Sequence, residues 1–169
     1  MTENKHPFIE YLNSLVQQDR RGALAELRRG LGQPPGACAS MYRYIVPFLP
    51  EKCSRRSEAI YYLIGALFAS HPDNATAGNM GAHLAAARSE NGGEALERRF
   101  TCLLASHIDD LPDYLRQTIG FLKSKNVPVN WQQLFWDLQQ WDNEERSVQK
   151  HWANAFWGRQ VEKTPEKES

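Results

Sequence analysis

Between Val129 and Phe156 large apolar residues recur at helical intervals, too many and too bulky to be left in water. Trp131, Leu134, Phe135, Leu138 and Trp141 lie three, four or seven apart, so on a helix they share one stripe. Val148, Trp152 and Phe156 form a second stripe. Four of the five tryptophans, Trp131, Trp136, Trp141 and Trp152, fall in this stretch. Asp142-Asn143-Glu144-Glu145, between the stripes, reads as a helix start, because Asp and Asn accept from free N–H groups and acids suit the positive end of the helix dipole. The expectation is a helical hairpin closed by an aromatic seam. Such a stripe signals core, so it fixes fold and leaves chemistry open.

The rest of the chain reads in the same period. Phe8, Leu12, Leu15 and Val16 mark a first helix, and Leu24, Leu27 and Leu31 a second that stops at Gly32-Gln33-Pro34-Pro35-Gly36. A third holds Tyr42, Ile45 and Val46 and ends near Pro47. After Ser54 or Ser57, Ile60, Leu63, Ile64, Leu67 and Phe68 fall on one face. The run His71 to Asn79 is proline, glycine and small polar in content, the best place for a linker or long loop. Helices then follow over Met80 to Arg88, Glu94 to His107 and Leu111 to Lys125. No segment alternates like a strand. The predicted fold is all-α, eight or nine helices in two small bundles, residues 1–70 and 80–158, joined at 71–79, with a disordered charged tail at 159–169.

A chain of 169 residues is long enough for a real core. No run approaches the ~20 apolar residues that cross a bilayer, and Met1 to Pro7 lacks a hydrophobic leader. The reading is a soluble, cytoplasmic protein without a membrane partner. Cys38, Cys53 and Cys102 contain no CxxC pair, so neither a disulfide framework nor a zinc cage is signalled. Reduced, mostly buried thiols are expected.

Catalysis finds little support. His107-Ile108-Asp109-Asp110 lacks the adjacent His-Asp pair and distant ligands of metal phosphohydrolases, while Asp109-Asp110-Leu111-Pro112 reads as a helix start with proline just inside it. His83 shares a face with Met80, Leu84 and Ala87, the setting of a satisfied core histidine. Cys102 sits inside the apolar stretch Phe100 to Leu104, where inert packing is expected rather than a thiolate. Gly92-Gly93 is a turn without the lysine and hydroxyl of a phosphate loop. No catalytic residue, metal site or cofactor is predicted.

The arginines remain. Net charge is zero, but across residues 20–60 eight basic residues meet only Glu26, Glu51 and Glu58, whereas from Val129 onward acids outnumber bases seven to five. A neutral chain can therefore carry a basic face. Arginine outnumbers lysine 13 to 7, and its fork suits phosphate as well as carboxylate. If a helix runs back through Gly22, Arg21, Ala25 and Arg28 form one row with Arg29 beside it, while Leu24, Leu27 and Leu31 face inward. Arg98 lies opposite Leu96, Phe100 and Leu103; Arg99 is nearer the core edge. The alternative is a solvated flank with local pairs such as Glu26 to Arg29.

The C-terminal pattern resembles one family. In the small subunit of the type I-E CRISPR Cascade complex, the CasB family, a segment of the form xDWxxLxxDLxxWD is followed by VxxxWAxxF. Here Val129-Asn130-Trp131 through Trp141-Asp142 and then Val148 through Phe156 match it, with Asn130 where Asp is usual. Glu97-Arg98-Arg99-Phe100 with Leu103-Leu104, Leu115-Arg116 with Leu122-Lys123-Ser124, Leu27-Arg28-Arg29-Gly30 and Met41 through Phe48 resemble further family segments in the right order, over most of residues 8–158. The resemblance implies a non-catalytic subunit of an RNA-guided DNA-binding complex. Its partners would be the other Cascade subunits, a second copy packed end to end, the guide RNA, and the target DNA including its displaced strand. A basic surface would hold nucleic-acid backbone, and its candidate residues are Arg20, Arg21, Arg28, Arg29, Arg43, Arg55, Arg56, Arg88, Arg98, Arg99 and Arg116. A purely structural helical adaptor, working through protein contacts alone, is the competing reading.

Overall fold

Four of the helix starts are set by side chains that accept from free backbone N–H groups. In the computed structural model, which describes residues 5–158, the His6 ring caps α1 (Pro7–Gln17) by accepting from Phe8 N, and Ser54 caps α4 (Arg55–Ser70) by accepting from Ser57 N. Asn79 caps α5 (Met80–Ala86) through Ala82 N, and Asn130 caps α8 (Trp131–Gln139) through Gln133 N. Four more complete the expected set: α2 (Arg21–Arg28), α3 (Tyr42–Ile45), α6 (Gly93–Ala105) and α7 (Leu111–Ser124), the last with proline in its first turn as predicted. With α9 (Ser147–Trp157), nine α-helices stand among the described residues, and the only strand-like pairing there is an isolated parallel bridge between Asn74 and Val129. The fold is all-α. The tail after Gly158 lies outside the described residues.

α4 is the axis. Ile60, Ile64, Leu67 and Phe68 are buried as expected, and so are Tyr61, Tyr62, Ala66 and Ala69, so the helix is enclosed nearly all round rather than amphipathic. Around it pack α2, α3, α7 and α8. α8 runs along it with the Trp131 ring 5.6 Å from that of Phe68 at one end and Gln139 accepting from the Ser57 hydroxyl at the other. The predicted stripe is buried throughout: Trp131, Leu134, Phe135, Leu138 and Trp141 are each at most 3 % exposed. Val148, Trp152 and Phe156 of α9 are buried too, but that helix packs mainly against α5. The aromatic seam closes only at the root, where the rings of Trp141 and Trp152 lie 5.1 Å apart and Trp152 Nε1 donates to Asp137 at 2.7 Å.

Four expectations need correction. α9 starts at Ser147, not at Asp142 to Glu145, because Glu145 N donates to the Asn143 side chain in a turn and Arg146 adopts a left-handed conformation at φ 54°. Val16, Tyr42 and Val46 are exposed at 41 %, 42 % and 51 %, outside the apolar faces assigned to them. Leu31 lies beyond the end of α2 and is only half-buried. The thiols are not mostly buried: Cys38 and Cys53 are half-buried and Cys102 is exposed, since two residues from Phe100 on a helix is another face.

Candidate nucleic-acid interface

All eleven candidate arginines are exposed. Their surroundings divide them. Arg21 pairs with Asp19 at 2.9 Å, Arg56 with Asp142, and Arg116 with Asp113 at 3.8 Å one turn back on α7. Arg88 donates to the Phe156 carbonyl at 3.4 Å and lies 4.1 Å from the centre of that ring, so its guanidinium fastens the end of α9. Arg43 stacks beside Tyr44 at 5.3 Å. Arg20, Arg28, Arg29, Arg55, Arg98 and Arg99 form no ion pair with any described residue. The local pair from Glu26 to Arg29 does not form. Glu26 instead faces Tyr44, whose phenol is pushed up by burial and then by that carboxylate.

Helix polarity separates the free cations further. Arg28 and Arg29 close α2, where a positive charge complements the negative end of the dipole. Arg55 and Arg56 open α4, where the dipole opposes them; Glu58 lies in that turn and Asp142 pairs with Arg56, so Arg55 is the one of the two left without an ion pair to any described residue. The two line a groove of about 350 Å³ with Pro35, Ile108, Asp109 and Pro112. Pro35 and Pro112 continue into a smaller depression that carries Arg116, whose guanidinium covers the Gly32 turn just after Arg29. The α2 turn, the start of α4 and α7 thus form one arginine-bearing seam. Arg98 and Arg99 stand apart on α6, over a groove of about 380 Å³ floored by Leu84, Phe100 and Phe121.

The histidines resolve without a site. His83 is buried, and its Nε2 accepts from Asn130 N at 3.0 Å, while burial holds its pKa below the usual range. His107 Nδ1 accepts from Asp109 N at 3.2 Å in an exposed turn before α7. Among the described residues no group of three His, Cys, Asp or Glu is placed to hold a metal ion, and no helix is long and apolar enough to cross a membrane. Sequence reasoning missed Arg146, which donates to the Leu104 carbonyl. It also missed a cleft of about 540 Å³ between α1, α8 and the loop at 73–76, which none of the eleven arginines lines. Its residues are mostly carboxamides, which carry no charge signal.

Nine helices among the described residues, four of them packed on the buried α4, with a segmented arginine surface, define an all-helical protein with no metal cluster among those residues. The family model for CRISPR-associated protein Cse2 matches residues 23–157, and the chain belongs to that family. A CRISPR-associated protein Cse2 from Thermus thermophilus is 31 % identical over 153 residues, 89 % of this chain and 88 % of that one. The crystal structure of CasB from Thermus thermophilus superposes with a TM-score of 0.79 at 29 % identity, covering 90 % of this chain and 96 % of that chain. A chain of a CRISPR RNA-guided surveillance complex shares the fold at a TM-score of 0.73 and 24 % identity, over 88 % of this chain and 92 % of that one.

Proposed function

We propose that the chain is a non-catalytic subunit of an RNA-guided CRISPR surveillance complex of the Cascade type I-E kind, and that its arginine seam holds nucleic-acid backbone. Its partners are the other Cascade subunits, a second copy, the guide RNA, and target DNA with its displaced strand. Family membership and the shared fold support the first part. The observation that supports the second is the set of exposed arginines without ion pairs, above all Arg55 at the positive end of α4. A phosphate there relieves an electrostatic conflict that the protein leaves standing. R-loop formation exchanges duplexes of similar stability, so modest contacts to the freed strand decide whether it persists.

The test is a salt titration of binding to unrelated single-stranded DNAs. Each phosphate contact releases about 0.7 condensed counterions, so reversing Arg28 and Arg29 to Glu together flattens the slope of log affinity against log salt by more than about one unit, equally for all sequences. The melting temperature stays put. An unchanged slope with a lowered melting point makes the pair structural. Binding that vanishes for no arginine reversal leaves the helical adaptor as the function.

A further inference from the structure

We propose that the cleft between α1, α8 and the loop at 73–76 is a docking site for an extended, uncharged polypeptide segment of a neighbouring subunit. The inference rests on the complex membership proposed above. Ala75 N donates to the Val129 carbonyl at 2.8 Å, and Val129 N donates to the Asp73 carbonyl at 3.1 Å. In a parallel pairing of this kind, the residue between the two bonded ones turns its own N–H and C=O the other way. That residue is Asn74, exposed on the wall of the cleft, and its backbone N–H and C=O bond to no described residue. It is a strand edge one residue long, the kind of template to which an extended peptide adds.

The edge is held ready. His71 is buried with Nε2 2.7 Å from the Val127 carbonyl, and the Asn130 amide donates to the Gly78 carbonyl at 3.0 Å, so the loop is fastened at both ends. Preorganisation of this kind lowers the cost of association. The walls carry Asn13, Gln17, Asn74, Gln132 and Gln133 beside the ring of Trp136. Carboxamides both donate and accept, as a peptide backbone does, and the half-buried indole offers an apolar face. Lys5 and Glu10 leave the cleft with balanced charge, which suits a neutral peptide and not a phosphate chain. At about 540 Å³ it lies within the size range of specific binding sites.

The test uses the full chain, purified in the assembly with its other subunits and guide RNA. Asn74→Pro removes the outward N–H while the groups that make both bonds to Val129 lie on Asp73 and Ala75, and circular dichroism checks that the ring leaves the fold unchanged, whereas Asn74→Ala keeps the N–H. The expected result is normal incorporation of Asn74→Ala and roughly tenfold weaker retention of Asn74→Pro, about the loss of one hydrogen bond. Equal retention of both variants, or equal loss, overturns the proposal. Asn13→Trp adds bulk to the α1 wall of the cleft, and normal retention of this variant in folded form also overturns it. A photo-crosslinker at Gln17 should capture a subunit polypeptide, mapped to one segment by mass spectrometry; capture of guide RNA or DNA refutes the peptide reading. The arginine reversal acts elsewhere, so the salt slope and retention fail separately.

Discussion

Gly81 is where α5 and α9 touch backbone to backbone, and replacing it with alanine tests that packing directly. A Cβ there would stand 2.7 Å from the carbonyl carbon of Trp152 and 3.0 Å from its Cα, and would overlap the carbonyl oxygen. Ordinary carbon contacts are about 3.5–4.0 Å, so the helices must part by about 1 Å. Backbone cannot rotate out of the way as a side chain can. Overpacking costs about 1–3 kcal/mol, and here separation also loosens Trp152, which is fully buried and bonded to Asp137. Alanine returns at most ~1 kcal/mol of helix propensity. The net expectation is a loss of about 1–2 kcal/mol, a fall in melting temperature of about 2–8 °C for a chain of this size. Gly120→Ala is the control: it lies within α7 on an exposed face with no atom within 4 Å of a new Cβ, so it should gain about 0.5–1 kcal/mol. Thermal melts by circular dichroism read both. A Gly81→Ala chain that melts with or above the unaltered one would refute the close packing of α5 on α9.

Trp141→Phe should cost about 1–2 kcal/mol more than Trp131→Phe, because Trp141 Nε1 donates to the buried Ser106 carbonyl at 3.1 Å whereas the buried Trp131 Nε1 has no partner among the described residues; chemical denaturation separates the two. Burial lowers the pKa of His83, and of His6, so the unfolded chain binds protons first and stability falls as pH drops from about 6.5 through the folded values. Asp137 acts oppositely, its carboxyl raised by burial, but only nearer the carboxylate range. His83→Gln, which cannot titrate, should flatten the loss between pH 7 and 5, and an unflattened curve removes His83 as a cause. Cys102 should react with a maleimide ahead of half-buried Cys38 and Cys53 in the native protein and without change in melting point; labelling that requires denaturant contradicts its exposure.

How much could be read from residues alone follows from the range of each determinant. The stripe from Trp131 to Trp141 was legible because bulky side chains at helical spacing have one low-energy solution, and all five are buried. Ser54 and Asn79 are caps that act within three residues. The start of α9 was not legible, since Asp142 to Glu145 have the composition of a helix start but Asp142 is drawn to Arg56, far away in sequence. Cys102 misled for a different reason: its neighbours are apolar, yet the core face of α6 is Leu96, Phe100 and Leu103, and Cys102 is rotated off it. Exposure of Arg21, Arg28, Arg29 and Arg98 was legible from their placement away from the leucines, whereas Arg99, expected nearer the core edge, is exposed as well. Which of them are neutralised was not, because Asp142 for Arg56 and the Phe156 ring for Arg88 come from remote helices. The carboxamide cleft draws on α1, α8 and a loop, and no local pattern announces it.

α4 sets the relation between the two surfaces. Arg55 and Arg56 open it, and the loop bearing Asn74 follows its last turn, so its 16 residues hold them about 24 Å apart at 1.5 Å per residue. α8 lies along the same helix and is tied at both ends, by Trp131 on Phe68 and by Gln139 on Ser57, so the two ends cannot slide independently. A helix enclosed on nearly every side is a strut rather than a hinge. Nucleic acid gripped at the arginine seam and a peptide seated at the Asn74 edge would therefore be held at a fixed separation. The pairing of Arg56 with Asp142 joins the start of α4 to the turn that follows α8. A phosphate at Arg55 would thus meet a surface already braced by the helix that walls the cleft.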